Sequence, residues 1–435
     1  MKDSRRSFIK KAAGSALGMI AAPYIIPGTA LGKNGAIAPS NRIVLGGIGL
    51  GSQGMGNSHG FLEKKEVQYV AICDLDSTHR DRAVSMVNGI YKNNDCRSYE
   101  DFREFLEKEK LDAVTIAVPD HWHALISTAV ANKGIDIYGE KPLARSIKEA
   151  RAIVTAVEKN NVIWQTGSWQ RSVANFHRGA ELVINGRIGK VSHVEVGLPN
   201  GRRPIGTPPV MKVPQELNWE MWLGPAPSVP YRGVSHWDWR WIMDYSGGQL
   251  TDWAGHHIDI AHWGLGYDKT GPISVEGKGV YPREGIFDVP VEYDFTCEYK
   301  TGVTMRVANE SKQPHGMGTV WYGDKGWIHV DRGDVIKASD PKILDEVIGK
   351  EETLLFKSTD HIQNFLDCIK SREETITPAE TALRSISVGL LGEIAMLTEK
   401  KLAWDPEKEE FTNNQYANHM LVRPYRGPWN LTMIA

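Results

Sequence analysis

Between residues 42 and 166 the chain alternates short apolar runs, rich in β-branched residues, with amphipathic stretches of helical length. The apolar runs predict strands at 43–48, 67–73, 113–118, 135–138 and 162–166. The stretches between them predict helices at 77–88, 99–108, 124–133 and 147–159. Because strands that alternate with helices are joined by crossover connections, we expect a parallel sheet with helices on both faces.

From residue 191 onward the apolar runs lengthen, and apolar and polar positions alternate within them. They predict strands at 191–198, 273–280, 291–299, 303–309, 318–322 and 327–331. Alternation of this kind is typical of an antiparallel sheet with one buried face. Helical patterns return at 359–370 and 378–400, and we expect these helices to pack back on the first domain. The predicted fold is α/β: a doubly wound domain at 40–166, then an α+β domain at 167–435 with a large, mainly antiparallel open sheet.

The composition is that of an ordinary globular protein, with 41% hydrophobic and 24% charged residues. The formal net charge is −2 and the basic residues are not gathered into runs, so we expect no nucleic-acid partner. The four cysteines are scattered without C-x-x-C spacing, which argues against a metal centre or a thiol redox motif.

The first residues indicate export. Residues 4–10 have the pattern S-R-R-x-F-x-K, and an apolar stretch follows at 12–26. This pattern is typical of a twin-arginine signal peptide, which we place at 1–32. A retained membrane anchor is the alternative, but the stretch contains glycines and a proline and is shorter than the roughly 20 residues that a spanning helix needs. We expect a periplasmic protein with no stable membrane insertion once the signal is removed.

Residues 49–54 have the sequence G-x-G-x-x-G, directly after the first predicted strand and before a stretch of helical length. Asp74 ends the second predicted strand, twenty positions past Gly54, where an acid that binds ribose hydroxyls is expected. Together these features predict a Rossmann-type dinucleotide-binding domain at 40–166. The alternative is an ordinary glycine-rich turn, with Asp74 as a simple cap of the strand end. The residues expected to contact the diphosphate are Gly49, Gly51, Ser52, Gln53 and Gly54. Because an aspartate repels a 2′-phosphate, NAD is favoured over NADP, although Arg80 and Arg82 leave NADP open.

Two segments carry candidate catalytic groups. Lys141 follows the predicted strand at 135–138, at the sheet edge where ligands bind, and is suited to accept or share the proton of a hydroxyl that is being oxidised. A surface lysine paired with Glu140 is the alternative. Asp252 and His256 are four residues apart, which on a helix places a carboxylate beside an imidazole and raises its basicity. A buried core histidine and a metal site are the alternatives here; no zinc-binding spacing is met, so we predict no metal.

Half of the chain's 14 tryptophans lie between residues 219 and 263. Indole rings offer flat faces to the C–H surfaces of sugars and N–H groups to their hydroxyls. The candidate substrate contacts are Trp169, Arg240, Trp241, Tyr245 and His257.

This combination resembles the Gfo/Idh/MocA oxidoreductase family, which includes glucose-fructose oxidoreductase and inositol dehydrogenases. The resemblance runs from Arg42 to the tail and rests on the glycine loop, Asp74 and the segments 119–123, 140–142 and 247–256. The segment 218–227 is similar to the branch of the family rich in exported bacterial members.

The resemblance implies several roles. Lys141 and His256 would transfer protons at a sugar carbon with Asp252 beside them, and the cofactor cleft would be lined by Pro119, His123 and Glu140. Assembly through the open face of the second sheet would give a homodimer or a homotetramer.

We expect an NAD-dependent oxidoreductase that acts on a carbinol carbon of a small sugar or sugar derivative, with a tightly bound cofactor recycled in each turnover. Recycling is expected because free NAD is scarce outside the cell, whereas the twin-arginine pathway exports folded proteins. An NAD-dependent glycosidase or lyase that uses oxidation, elimination and re-reduction is the alternative. A sugar-binding sensor with a vestigial cofactor site is a third hypothesis, which the presence of Lys141, Asp252 and His256 together disfavours.

Overall fold

A computed structural model describes residues 41–233 and 236–431, so the predicted export signal at 1–32 lies outside the described residues. Among the described residues, the first domain contains a parallel sheet of six strands in the order β3-β2-β1-β4-β5-β6. Its strands are β1 (Ile43–Ile48), β2 (Val67–Cys73), β3 (Arg97–Tyr99), β4 (Ala113–Ile116), β5 (Asp136–Gly139) and β6 (Trp164–Thr166). Its helices are α1 (Ser52–Leu62), α2 (Ser77–Tyr91), α3 (Phe102–Lys108), α4 (Asp120–Asn132) and α5 (Ile147–Lys159). The strand order reverses between β1 and β4, which opens a crevice at the carboxyl ends of these strands.

The second domain contains a sheet of nine described strands in the order β13-β12-β11-β7-β10-β9-β8-β14-β15. They are β7 (Val191–Leu198), β8 (Ser274–Val280), β9 (Glu292–Glu298), β10 (Thr304–Asn309), β11 (Gly318–Gly323), β12 (Gly326–Asp331), β13 (Val335–Ala338), β14 (Leu402–Asp405) and β15 (Glu410–Phe411). β7 and β10 pair in parallel, and the other neighbours pair antiparallel. In β9 the buried Tyr293, Phe295 and Cys297 alternate with outward Asp294 and Thr296, the pattern of a sheet with one covered face.

Eight helices of the described residues belong to the second domain. They are α6 (Ala174–Ile184), α7 (Trp219–Leu223), α8 (Gly248–Trp253), α9 (Asp259–Leu265), α10 (Lys342–Asp345), α11 (His361–Ser371), α12 (Ala379–Thr398) and α13 (Gln415–His419). A π-helical turn at Ala254–Ile258 joins α8 to α9. The predicted fold class is confirmed.

The C-terminal helices join the two domains. α12 packs on β8 and β9 with one side and on α5 with another, and Phe365 and Leu366 of α11 belong to the apolar core that contains Leu45 and Phe61. Among the described residues, α12 alone is long and apolar enough to cross a membrane, and 83% of that stretch is buried inside the protein. Its apolar character is therefore explained by its position between the domains.

Several predicted boundaries were wrong. The helix predicted at 99–108 begins only at Phe102, because the Asp101 side chain accepts a hydrogen bond from the Arg103 amide and caps it, while residues 97–99 form β3. The helix predicted at 124–133 begins already at Asp120. The strand predicted at 113–118 ends at Ile116, and the next two residues line the cavity described below.

Candidate active site

A cavity of about 690 Å³ lies between the two domains, at the carboxyl edge of the parallel sheet. This size is within the range of roughly 300–1,000 Å³ that is usual for ligand pockets. The first domain contributes the glycine loop and the residues that follow β2, β4 and β5, and the second domain contributes α7, α8, the π turn and the loop after β12. The predicted site residues on the cavity wall are Gly49, Gly51, Ser52, Gln53, Asp74, Pro119, Glu140, Lys141, Trp169, Arg240, Asp252 and His256.

The glycine loop approaches the cavity with its backbone. A Cβ atom at Gly54 would come 1.9 Å from the carbonyl oxygen of Gly49, so only glycine lets α1 begin so close to the loop. A Cβ atom at Gly51 would meet no described atom within 4 Å, because this residue faces the cavity. The first amides of α1 therefore stand beside open space, an arrangement that fits the diphosphate of a dinucleotide.

Asp74 follows β2 and fixes the loop with its carboxylate. Oδ2 accepts a hydrogen bond from the Leu50 amide at 2.5 Å, and Oδ1 accepts one from the Asp76 amide at 2.9 Å. His79 Nδ1 lies 3.5 Å from Oδ2, and its hydrogen bond to Asp74 raises the pKa of His79. Arg80 donates to the backbone carbonyl oxygen of Asp74 at 2.6 Å. Asp74 thus supports the loop and places a negative charge on the wall where ribose hydroxyls are expected.

Glu140 connects the glycine loop to the end of β5. It is buried, and its Oε1 accepts hydrogen bonds from Gln53 Nε2 at 3.0 Å and from Asn57 Nδ2 at 2.9 Å. Its Oε2 accepts a weaker hydrogen bond from the Lys141 amide at 3.3 Å. The sequence left open a pairing of the Lys141 side chain with Glu140. In the structure this side chain instead contacts Asp252 of the second domain.

His123 supports the wall without forming it. Its ring is buried, and its Nε2 donates to the carbonyl oxygen of Val118 at 2.9 Å. Val118 and Pro119 line the cavity directly in front of this contact. His123 therefore positions the backbone between β4 and α4.

Lys141 and Arg240 share one carboxylate. Lys141 Nζ donates to Asp252 Oδ1 at 2.8 Å, and Arg240 Nε donates to the same oxygen at 2.9 Å. Burial acts to raise the pKa of the Asp252 carboxyl, but the two cations together hold it below its usual value. Asp252 is therefore an ionised anchor that fixes the lysine from the first domain to the second domain.

His256 lies next to this group in the π turn. Its ring is buried, and its Nδ1 has no hydrogen-bond partner among the described residues. Burial and then the charges of Lys141 and Arg332 lower the pKa of His256 well below its ordinary value, so the imidazole is neutral at neutral pH. Gly255 lets the π turn that carries His256 lie close to Lys141, since a Cβ atom at residue 255 would come 3.2 Å from Lys141 Cβ.

The predicted pairing of Asp252 with His256 was wrong. Residues four apart share a face in an α-helix, but α8 ends at Trp253 and the wider π turn moves His256 out of that register. Asp252 instead engages the two cations, and the pKa of His256 is lowered rather than raised.

The predicted substrate contacts divide into two groups. Trp169 and Arg240 are on the cavity wall, and Trp169 is 40% exposed. Trp241, by contrast, packs near Phe287 at a ring distance of 6.4 Å. Tyr245 is buried 5.1 Å from the ring of His121 and 5.0 Å from that of Trp222. His257 is buried and stacks on the ring of Trp253 at 5.3 Å. The structure therefore places Trp241, Tyr245 and His257 outside the cavity wall.

Among the wall residues that escaped the sequence analysis, three bear on the chemistry. Asp120 lines the cavity, accepts a hydrogen bond from Ser246 Oγ at 2.5 Å, and has a pKa raised by burial. Its position just past a predicted strand end is the signal that could have found it. Trp253 and Arg332 also line the cavity, but Arg332 follows a strand far along the chain and only the folded arrangement brings it here.

Among the described residues, no group of three or more His, Cys, Asp or Glu side chains is arranged to hold a metal ion. The four cysteines are free thiols, and Cys73, Cys297 and Cys368 are buried.

Comparison with known proteins assigns both parts of this architecture. Residues 43–168 match the model described as "Oxidoreductase family, NAD-binding Rossmann fold", and residues 205–431 match "Oxidoreductase family, C-terminal alpha/beta domain". The chain belongs to the Gfo/Idh/MocA oxidoreductase family. The first domain is therefore an NAD-binding Rossmann domain, which confirms the predicted cofactor.

Curated relatives of this family member match over part of their length. An α-N-acetylgalactosaminidase of Shewanella oneidensis is 28% identical over 213 residues, which are 44% of this chain and 45% of that protein. A glycosyl hydrolase family 109 protein of a Shewanella species is 29% identical over 213 residues, again 44% of this chain and 45% of that protein. The match thus spans less than half the length of these relatives.

Solved structures of the family share the whole fold at low sequence identity. The WlbA dehydrogenase of Bordetella pertussis, solved with NADH and UDP-GlcNAcA, has a TM-score of 0.62 and 17% identity, covering 84% of this chain and 99% of that one. The aldose-aldose oxidoreductase of Caulobacter crescentus has a TM-score of 0.60 and 17% identity, covering 83% and 99%. At this identity the likeness shows the fold alone.

Proposed function

We propose that the chain oxidises a carbinol carbon of a small carbohydrate with NAD kept on the protein, and that a second, carbonyl-bearing substrate takes the hydride back from NADH, so that NAD is restored within each turnover. The observation that carries this proposal is the cluster of Lys141, Asp252 and His256 in the same cavity as the glycine loop. In a doubly wound domain the acid after the second strand marks the adenosine end of the dinucleotide. The cluster stands beyond the strand-order reversal, where the nicotinamide is expected.

The side chains of the cluster divide the proton chemistry. A bound nicotinamide supplies the acceptance and return of a hydride. His256, neutral because of burial and neighbouring cations, accepts the hydroxyl proton as the carbon is oxidised. Lys141, held by Asp252, donates a hydrogen bond to the substrate oxygen and stabilises its developing negative charge. The charge of Lys141 also favours return of the proton from His256, which suits a reversible step.

Contacts across the cavity support retention of the cofactor. Residues 214–222 of the second domain close on the loop after β2: the Ser77 amide donates to the Glu216 carbonyl oxygen at 2.9 Å, and the Asn218 amide donates to the Leu75 carbonyl oxygen at 3.2 Å. Leu217 and Met221 from this segment line the adenosine end of the cavity. We call residues 214–222 the closing segment. Release of NAD requires this segment to separate from the first domain.

A redox-assisted glycosidase is the second candidate. In that reaction oxidation, elimination of the aglycone, addition of water and re-reduction leave the cofactor unchanged. Asp120 favours it, because burial raises the pKa of this cavity carboxyl, and that direction suits a group that donates a proton to a leaving group. The names of the curated relatives agree with this candidate.

Export and assembly are proposals as well. We propose that residues 1–32 direct the folded, NAD-loaded protein to the periplasm, and that copies assemble through the open face of the nine-stranded sheet. That face carries charged side chains in ion pairs, such as Arg306 with Asp294 at 2.8 Å. Cell fractionation and light scattering of the purified protein test these two proposals.

One experiment separates the candidates. The purified protein is denatured and the released nucleotide is identified by mass spectrometry; a separate native sample is incubated with a panel of free sugars and aryl glycosides without added NAD. With one sugar and no hydride acceptor present, a keto-sugar with reduced cofactor supports the oxidoreductase, whereas a released aglycone with unchanged cofactor supports the glycosidase. Absence of bound NAD contradicts the retained-cofactor proposal, and absence of both products contradicts the enzymatic one.

A further inference from the structure

Arg332 occupies an unusual position on the cavity wall. It lies in the loop after β12, and its guanidinium carbon is 4.3 Å from the ring centroid of Trp253 and 4.9 Å from that of Trp169. These two indoles hold the cation by their π-faces. Trp169 belongs to the first turn after β6 and Trp253 to α8, so segments far apart in the chain hold Arg332 at the cavity.

Arg332, which is partly buried, differs in its partners from Arg240 and Arg171. Arg240 pairs with Asp252, and Arg171 pairs with Asp259, whereas Arg332 takes part in none of the ion pairs of the described residues. Its side-chain hydrogen bond goes to Gln170 Oε1 at a long 3.4 Å, and its buried Nε has no acceptor among those residues. Burial lowers the pKa of Arg332, and Asp331 and Asp252 offset this only in part. Arginines removed from water are ordinarily paired with anions.

The charges around Arg332 are unbalanced. Lys141 and Arg240 share the single carboxylate of Asp252, so this group is positive before Arg332 is counted. The Asp120 carboxyl is engaged by Ser246 Oγ, which donates to it at 2.5 Å. Glu140 is directed to the amides of Gln53 and Asn57. Of the three cations at the substrate end, Lys141 and Arg240 thus share one carboxylate, and Arg332 has no carboxylate in ion-pair contact among the described residues.

We propose, on the basis of the proposed carbohydrate chemistry, that Arg332 binds an oxyanion carried by the substrate: the carboxylate of a uronic acid, or a sulfate or phosphate ester. A guanidinium presents several parallel N–H donors, and such oxyanions accept them in pairs. The exposed ring of Trp169 lies beside Arg332 and offers its face to the sugar ring that carries the anion. Arg332 is thus a specificity-determining residue that does not take part in the proton transfer.

The test measures binding, so that it does not depend on turnover. NAD-loaded full-length protein is titrated calorimetrically at constant ionic strength with matched pairs: D-glucuronate against D-glucose, D-galacturonate against D-galactose, and the 6-sulfate and 6-phosphate of glucose. At least one anionic sugar should bind ten or more times tighter than its neutral parent. R332Q should reduce that preference to less than threefold, and R332K, which keeps the charge without the planar fork, should retain part of it.

The control variant is K337Q, which removes one positive charge from the exposed end of the same β12–β13 hairpin. K337Q should leave the preference for the anionic sugar unchanged. If the preference came from long-range attraction to positive charge, removal of either Lys337 or Arg332 would weaken it. The identity of the preferred anion distinguishes carboxylate from ester. Equal binding of all charged and neutral members, or a preference that survives in R332Q, overturns the role of Arg332. If the role of Arg332 is overturned but a neutral sugar is still oxidised in the turnover assay, the proposed oxidoreductase function is unaffected.

Discussion

The two ends of the cavity are built in different ways. The cofactor end is built mainly from one domain, in which the glycine loop, Asp74 and Glu140 are joined by hydrogen bonds of 2.5–3.0 Å. The substrate end is assembled from segments far apart in the chain, and its cations and rings meet only after the domains pack. The first end is thus a local device for holding a ligand, whereas the second depends on the interface between the domains.

If the two ends are separable, removal of Lys141 should abolish chemistry and leave the cofactor in place. We expect Lys141→Ala to reduce turnover by roughly 10³-fold, because the substrate oxygen loses its charged donor, a loss in the range of about 10²–10⁴ that proton-transfer groups contribute. The NAD content, measured after denaturation, should remain that of the wild type. Lys148→Ala, at an exposed position of α5, is the matched control and should keep both properties. A variant that loses NAD in parallel with activity would show that the two ends are one unit.

This division also explains what the sequence could predict. The glycine loop, Asp74 and Lys141 were identified because each stands next to a strand whose apolar pattern fixes its place at the sheet edge. Trp241, Tyr245 and His257 were expected at the substrate and lie instead in packed aromatic surroundings. The composition of a tryptophan-rich segment does not tell which rings face the cavity, since burial in a core is equally favourable.

The substrate end escaped prediction for a second reason. The register of Asp252 and His256 depends on a π turn, which has no distinct sequence pattern, and an α-helical spacing therefore gave the wrong partner. Arg332 comes from a strand end in the other half of the second domain. Long-range packing, rather than local propensity, decides such positions.

The converse change should empty the cofactor end. We expect Gly54→Ala to weaken NAD binding by more than about 100-fold, because its Cβ would come 1.9 Å from the Gly49 carbonyl oxygen and push α1 from the loop. Mass spectrometry of the denatured variant should find little nucleotide, while the circular dichroism spectrum stays that of a folded protein. Gly56→Ala, also in α1 but with open space around its Cβ, serves as the control. Full NAD occupancy in the Gly54 variant would refute the geometry assigned to this loop.

His256 tests the electrostatics of the substrate end. Because burial and nearby cations lower its pKa well below the ordinary value of about 6.5, the ring remains a base as the pH falls through that value. The wild-type oxidation rate should therefore stay level between about pH 8 and pH 6, instead of falling as it would with an unperturbed histidine. His256→Gln should lower the rate by about 30- to 100-fold and make it rise with pH, as hydroxide replaces the lost base. Rates at saturating substrate provide the measurement, and a wild-type rate that drops by about fourfold between these pH values, as an unperturbed histidine with a pKa of about 6.5 would give, contradicts the assignment.

The smallest expected effect concerns the closing segment, through which the second domain covers the adenosine end of the cavity. Leu217 is buried, lines the cavity and stands beside Leu75, so it helps to hold the second domain over the adenosine end. Leu217→Ala should speed NAD dissociation by about tenfold, equivalent to about 1.4 kcal/mol, with little change in the rate of the chemical step, since Lys141 and His256 lie at the other end. Dissociation is followed by exchange of bound NAD for an isotopically labelled form. Val210→Ala is the matched control, because Val210 is 58% exposed just before the same segment. Equal exchange rates in wild type and both variants would mean that retention rests on the Rossmann domain alone, so that the local end of the cavity suffices to hold its ligand without help from the domain interface.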